Sequence, residues 1–236
     1  MKATKTLLLD LDGTLLGSKP TLHLTFIFQT LLYFARRGIG PVTALRALHG
    51  LRMGIERHQP GLVNSKRAAR LFGDVLKLDE VPAKKMAVEM THEVFAHLES
   101  CFFPIRGAAE FLSWARTRYE LVLATNAVWP REIVMLRLKW AGLDPGMFNF
   151  IANNDEMHFT KPSTQYYEEL LEKLKLRAEA CLMIGDSVRK DLPARKTGIP
   201  VFLMSDRAAD IRAVATSDGV WKGNFTALKE LLQEVQ

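Results

Sequence analysis

Cysteine is scarce: Cys101 and Cys181 are the only two in 236 residues, and each lies in an apolar setting. That excludes a disulfide framework and a thiolate metal site, and it fits a reducing compartment. Long apolar runs are lacking too. The most apolar stretch, Leu22 to Ala35, contains His23, Gln29 and two threonines, and it falls short of the roughly 20 residues that cross a bilayer. Behind Lys2 and Lys5 the apolar run is broken by Asp10 after three leucines, too short for the apolar region of a secretory signal. The expectation is a cytoplasmic chain with no transmembrane segment. No repeat or low-complexity tract is present, which argues against long disordered segments. Basic residues are not interleaved with aromatics, and no nucleic-acid motif occurs, so a nucleic-acid partner is not expected.

What is there is globular. A 48% hydrophobic chain of this length can bury a sizeable core, and the net charge of +6 favours anionic partners in general. Residues 6 to 11 read as a buried parallel strand. From Leu22 to about Ala96 the apolar residues recur at helical spacing, and Gly38, Gly40, Pro41, Pro60, Gly61 and Pro82 divide that block into three or four helices. Strand patterns resume at 121–124, 148–152, 181–184 and 199–204. Helices are expected over 104–117, from Pro130 to Gly142, over 166–176, and at the end through Phe225, Leu228, Leu232 and Val235. Alternating strands and helices predict an α/β fold: a doubly wound parallel sheet, Rossmann-like. Residues 1–19 and 104–236 form the core in this reading, and 20–103 an inserted α-helical cap domain over the strand ends. Ligands of such sheets bind beyond the carboxyl ends of the strands.

The first strand ends in Asp10-Leu11-Asp12-Gly13-Thr14. If the strand runs through residue 11, Asp10 and Asp12 share one side while Leu9 and Leu11 take the other. Gly13 lets the backbone turn sharply and a ligand approach closely. Taken alone, such a stretch is equally readable as an acidic turn. A calcium loop is excluded, because the positions that need glycine and glutamate hold Leu15 and Thr21. Three later segments deliver polar groups to the same edge: Thr125-Asn126, Lys161-Pro162, and Gly185-Asp186-Ser187 with Asp191.

In this order the motifs resemble those of the haloacid dehalogenase-like superfamily of phosphohydrolases, over residues 7 to about 204. The helical block resembles that family's cap inserted directly after the first strand. The resemblance implies a phosphatase acting on a small phosphorylated metabolite such as a sugar phosphate, phosphoglycolate or nucleotide monophosphate. Asp10 would be the nucleophile forming an aspartyl phosphate, and Asp12 the acid and base. Mg²⁺ would bind Asp10, the Asp12 carbonyl and Asp186. Lys161 would offset charge, Thr125 and Asn126 would hold the phosphoryl oxygens, and Asp191 would orient Lys161 or metal waters. Thr160 stands where many relatives have glycine, and Trp129-Pro130 follows the second motif unusually.

Residues 36 to 70 carry eight basic side chains against one acid, Glu56. Most read as a solvated face, with a second anionic group on the substrate as the functional alternative. Asn64, Lys66, Arg67 and Arg70, with His58, are the candidates to overhang the site. The competing functions are a phosphomutase of the same superfamily and a non-catalytic binding module that uses the basic cap.

Overall fold

The computed structural model describes residues 4–57, 61–205 and 214–234, so His58 and Val235 lie outside the described residues. The chain opens with β1 (Thr6–Leu9), followed by a short β2 (Leu16–Ser18) and four helices, α1 (Leu22–Ala35), α2 (Pro41–Glu56), α3 (Asn64–Leu76) and α4 (Glu80–Phe95). It returns through β3 (Phe102–Pro104) and α5 (Ala108–Ala115) to β4 (Glu120–Leu123), α6 (Arg131–Trp140), β5 (Phe150–Ile151), α7 (Thr164–Leu174) and β6 (Cys181–Gly185). The last elements are β7 (Val201–Met204), β8 (Val214–Ser217), β9 (Val220–Gly223) and α8 (Phe225–Glu234).

Seven strands form one sheet in the order β5-β4-β1-β6-β7-β9-β8, parallel throughout except for β8, which pairs antiparallel with β9. The apolar runs of its central strands follow from burial on both faces. Leu7, Leu9, Leu121, Leu123 and Ile184 pack with Phe111, Val134, Leu138 and Leu228 of α5, α6 and α8. The alternate residues Leu8, Val122, Cys181 and Met183 pack on the other side with Tyr166, Tyr167 and Leu170 of α7. The sheet therefore sits between two helical layers, with β1 near its middle.

Two features went unread in the sequence. β2 and β3 pair antiparallel, Leu16 opposite Pro104 and Ser18 opposite Phe102, so a two-stranded ribbon carries the chain into and out of the helical block. Three-residue strands are too short to show alternation. The β8–β9 hairpin was also missed, although its turn residues Asp218-Gly219, with Gly219 at φ +70°, are a common hairpin signal.

The helical block has its own core of Tyr33, Phe34, Ala47, Phe72, Met90 and Phe95, which Ile133 of α6 joins. Within it α2 and α3 touch backbone to backbone. A Cβ on Gly54 would lie 2.7 Å from Arg67 O and from Ala68 Cα, and one on Gly50 2.7 Å from Leu71 O. A Gly54→Leu substitution should therefore force the helices apart and cost about 1–3 kcal/mol, read as a lower denaturation midpoint in urea. No helix among the described residues is long and apolar enough to cross a membrane.

Candidate active site

The register of the sheet assembles the site. Leu9 pairs with Leu123 on one side and Ile184 on the other. Asp10 N donates to Ile184 O at 2.9 Å, and Ala124 N donates to Leu9 O at 2.8 Å. The residues that follow, Asp10, Thr125 and Asp186, therefore emerge at one edge. Close packing there requires glycine. Gly13 sits at φ +77° and a Cβ on it would lie 2.2 Å from Asp186 Oδ2, while a Cβ on Gly185 would lie 2.2 Å from Asp191 Oδ2.

Below this edge lies a buried ion cluster. Lys161 Nζ donates to Asp10 Oδ1 at 2.9 Å and to Asp191 Oδ1 at 2.6 Å. The side chains of Lys161 and Asp191 are 0% exposed and that of Asp10 is 7% exposed. Two carboxylates thus share one ammonium. Burial pushes the Asp10 carboxyl up to about 7, against the pull of the Lys161 ammonium. For Lys161, burial works against the charge, but Asp10 and Asp191 outweigh it and hold the ammonium protonated above the ordinary lysine range. Burial first, and then Asp191, raise Asp186 as well.

Carboxylate oxygens of Asp10, Asp186 and Asp191 lie within 4.8 Å of one another. A surplus of buried negative charge, an all-oxygen donor set and a glycine cradle together fit a hard divalent cation such as Mg²⁺. Asp191 already uses both oxygens, Oδ1 on Lys161 and Oδ2 accepting from Ser187 N at 3.0 Å. That leaves Asp10 and Asp186 as the freer carboxylates.

Asp12 departs from expectation. Strand pairing of β1 stops at Leu9, and the backbone turns through Gly13, so alternation no longer governs residue 12. Its side chain is 50% exposed and takes a hydrogen bond from Arg137 Nη2, whose side chain is 3% exposed. Arg137 projects from α6, its guanidinium 5.4 Å from the Phe102 ring centre, and its Nε and Nη1 find no hydrogen-bond partner among the described residues. Sequence reasoning missed this arginine, because a lone basic residue in an amphipathic helix carries no signal of burial.

Thr125 is buried and its carbonyl accepts from the Tyr166 hydroxyl at 2.7 Å, while Asn126 Oδ1 accepts from Lys161 N at 3.1 Å. The two loops that carry the second and third motifs are thereby fastened together. Glu169 holds the start of the Lys161 loop by accepting from His158 N at 3.0 Å and Phe159 N at 3.2 Å.

The profile of the haloacid dehalogenase-like hydrolases matches residues 4–197. The chain belongs to the haloacid dehalogenase-like hydrolase family. Among relatives, this hydrolase is 24% identical over 195 residues to pyrophosphatase PpaX of Halalkalibacterium halodurans, covering 82% of this chain and 80% of that protein. Its fold is that of 2-haloacid dehalogenase from Pseudomonas syringae pv. tomato, at TM-score 0.68 and 17% identity, covering 99% of this chain and 100% of the other. A HAD phosphatase from Thermococcus onnurineus superposes at TM-score 0.61 with 20% identity, covering 97% and 98% of the two chains.

A cavity of about 570 Å³ is lined by residues of all four helices of this hydrolase and by the loops at the strand edge. Asn126, Asn154, Asp155, Thr160, Lys161, Arg189 and Lys190 are among the residues at its core end, and the side chain of Lys161, itself buried, bonds to the carboxylate cluster behind. None of Asn64, Lys66, Arg67 and Arg70 lines it. Asn64 is buried and donates to Ala127 O at 3.0 Å and Phe159 O at 3.2 Å. Arg67 is buried against the carbonyls of Gly54, at 3.0 Å, and His158, at 2.9 Å, and also donates to Leu62 O and Asn64 Oδ1. Lys66 is exposed, and Arg70 pairs with Glu80 at 2.7 Å. The face of α3 that does reach the cavity is Ser65, Ala68 and Ala69.

Proposed function

We propose that the chain is a Mg²⁺-dependent phosphatase that hydrolyses a phosphomonoester through an aspartyl phosphate on Asp10. The carrying observation is that two carboxylates two residues apart occupy opposite environments. Asp10 is buried on an ammonium, and Asp12 is half exposed on a guanidinium. Such a division suits a nucleophile and a separate acid and base. A dehalogenase attacking carbon needs no second acid, so Asp12 favours phosphoryl chemistry.

Asp10 attacks phosphorus in line, and Asp12 gives a proton to the leaving oxygen and then takes one from the water that opens the intermediate. Lys161 offsets the charge that Asp10 shares with the phosphoryl group, while Thr125 and Asn126 orient its oxygens. Asp191 fixes Lys161 from behind. The carboxylates of Asp10 and Asp186, with the Asp12 carbonyl, would hold Mg²⁺, which when bound neutralises phosphoryl charge. Residues 1–19 and 104–236 act as the core in this reading and 20–103 as the cap.

The test is phosphate release from p-nitrophenyl phosphate and from pyrophosphate, with Mg²⁺ and with a chelator. Mg²⁺-dependent release that favours the monoester is expected. Preference for pyrophosphate would move the substrate to phosphoanhydrides, and no release from either would sink the reading.

Arg137 gives a sharper probe. With its guanidinium gone, Asp12 loses the contact that aims it, so Arg137→Met should slow hydrolysis of an alkyl phosphate at least about tenfold more than that of p-nitrophenyl phosphate, whose leaving group needs no proton. Arg137→Lys should recover part of the loss. Equal slowing on both esters, read from steady-state kcat, would reduce Arg137 to a packing residue.

A further inference from the structure

Much of the basic charge in segment 36–70 is matched nearby: Arg36 and Arg37 pair with Glu93 at 3.0 and 3.5 Å, Arg52 with Glu56 at 2.9 Å and Arg70 with Glu80 at 2.7 Å. Unmatched charge collects elsewhere, at the end of the sheet opposite the carboxylate cluster. There Thr6 and Glu120, the first residues of β1 and β4, and Ala180, just before β6, help to line a pocket of about 650 Å³. Five cations line it, Lys5, Arg116, Arg118, Lys175 and Arg177, against one acid, Glu120. The whole chain holds 32 basic residues to 26 acidic ones, so the pocket is a local surplus of positive charge.

Of the five cations, Arg177 is the one with an ion pair among the described residues, to Glu179 at 3.5 Å, and those two side chains are 71% and 69% exposed. Such a pair neutralises little. Arg118 is held ready. Its Nη1 donates to Trp114 O at 3.0 Å and to Thr117 Oγ1 at 2.7 Å, with the guanidinium carbon 5.1 Å from the Trp114 ring centre. Nε and Nη2 are left to donate side by side, the fork that matches two oxygens of a phosphate. Asn149, also on the wall, accepts from Leu121 N at 3.1 Å through Oδ1, which leaves its Nδ2 as a further donor. Tyr119, the aromatic residue of the wall, is buried, so a nucleobase finds no open ring to stack on. The cations come from three separate connections, Lys5, 116–118 and 175–177, drawn together where Lys5 N donates to Ala180 O at 2.8 Å and Glu120 N to Lys5 O at 2.9 Å.

We infer that this pocket binds a compact polyanion carrying two or more phosphoryl groups, gripped by the Arg118 fork and held by the charges of Lys5, Arg116, Lys175 and Arg177. The site is separate from the carboxylate cluster and stands whether or not the chain is a phosphatase. A ligand there ties together the starts of β1, β4 and β6, the strands whose far ends are followed by Asp10, Thr125 and Asp186. It therefore stabilises the folded chain by mass action.

The test titrates tripolyphosphate into the full chain carrying Asp10→Asn, by calorimetry at low salt with a chelator present, so that turnover at the other end of the sheet does not intrude. Binding is expected, at least about tenfold tighter than that of orthophosphate and weaker as salt is raised. Adding Arg116→Glu and Lys175→Asn should weaken it at least about tenfold. Both positions are exposed, and asparagine tolerates the left-handed backbone of residue 175, at φ +53°, so the variant should fold and its thermal midpoint without ligand verifies that it does. Arg189→Gln, which removes a cation from the other cavity, should change the affinity less than about twofold. No binding overturns the inference, as does equal affinity for orthophosphate, which would mean an adventitious ion only. Affinity lost with Arg189→Gln and kept in the pocket variant would place the anion in the other cavity and overturn it too. Displacement of tripolyphosphate by a mixed-sequence RNA oligonucleotide at equal phosphate concentration would assign the pocket to nucleic acid and overturn the small-ligand class.

Discussion

Asp10→Asn should leave a folded protein that releases phosphate on the order of 10⁴-fold more slowly or worse. The amide matches the carboxylate in shape and can still accept from Lys161, which keeps its 2.6 Å bond to Asp191. The exchange also removes one of two buried negative charges that share a single ammonium, so the fold loses little. Chemistry loses its nucleophile, because an amide oxygen does not attack phosphorus at a useful rate. The measurement is single-turnover phosphate release together with mass analysis of acid-quenched protein. The parent should carry a transient adduct of one phosphoryl group and the variant none. A variant that turns over near the parental rate would remove Asp10 from the nucleophile's place.

Much of this arrangement is written in the chain, for reasons that differ by element. β1, β4 and β6 were readable because burial on both faces leaves unbroken apolar runs, and the register of parallel strands then sets their carboxyl ends side by side. Asp10, Thr125 and Asp186 follow those ends directly, so their proximity needs no knowledge of the helices. Lys161 and Asp191 are one step further removed. They lie in loops whose course depends on packing between Tyr166 and the Thr125 carbonyl and between Tyr167 and the Lys190 carbonyl, and only the order of the motifs hinted at them.

The cap resisted because helical periodicity gives a face without naming the neighbour that meets it. On α3 the polar residues drew attention, yet close contact of α2 at Gly50 and Gly54 turns Arg67 into the seam and leaves Lys66 and Arg70 outside. The cavity received Ser65, Ala68 and Ala69 instead. Arg137 failed for a related reason. Its burial depends on the β2–β3 ribbon, whose Phe102 lies against its guanidinium, and three-residue strands leave no periodic trace.

Lys161→Met should be costly to both fold and rate, and the pH dependence of the first cost separates them. The substitution keeps the length of the side chain and deletes the ammonium, which leaves Asp10 and Asp191 buried 2.9 and 2.6 Å from a group that no longer carries charge. Breaking a buried ion pair from one side costs about 3–5 kcal/mol. Asp10 is already raised to about 7 by burial with the ammonium in place, and its loss drives the carboxyl higher still. A carboxyl whose pKa is raised in the folded state favours that state while protonated. Its contribution is complete below the unfolded value of about 4 and is lost as pH rises through the folded value. The penalty in Lys161→Met should therefore be largest at pH 8 and shrink toward pH 5, where Asp10 is protonated in parent and variant alike. Urea denaturation of the two proteins at both pH values, with a chelator present, measures it. A penalty that is flat across that range would mean that ionisation of Asp10 is not what the ammonium offsets. Turnover should fall at least about 100-fold at every pH, because no cation remains to share the charge of Asp10 and the phosphoryl group.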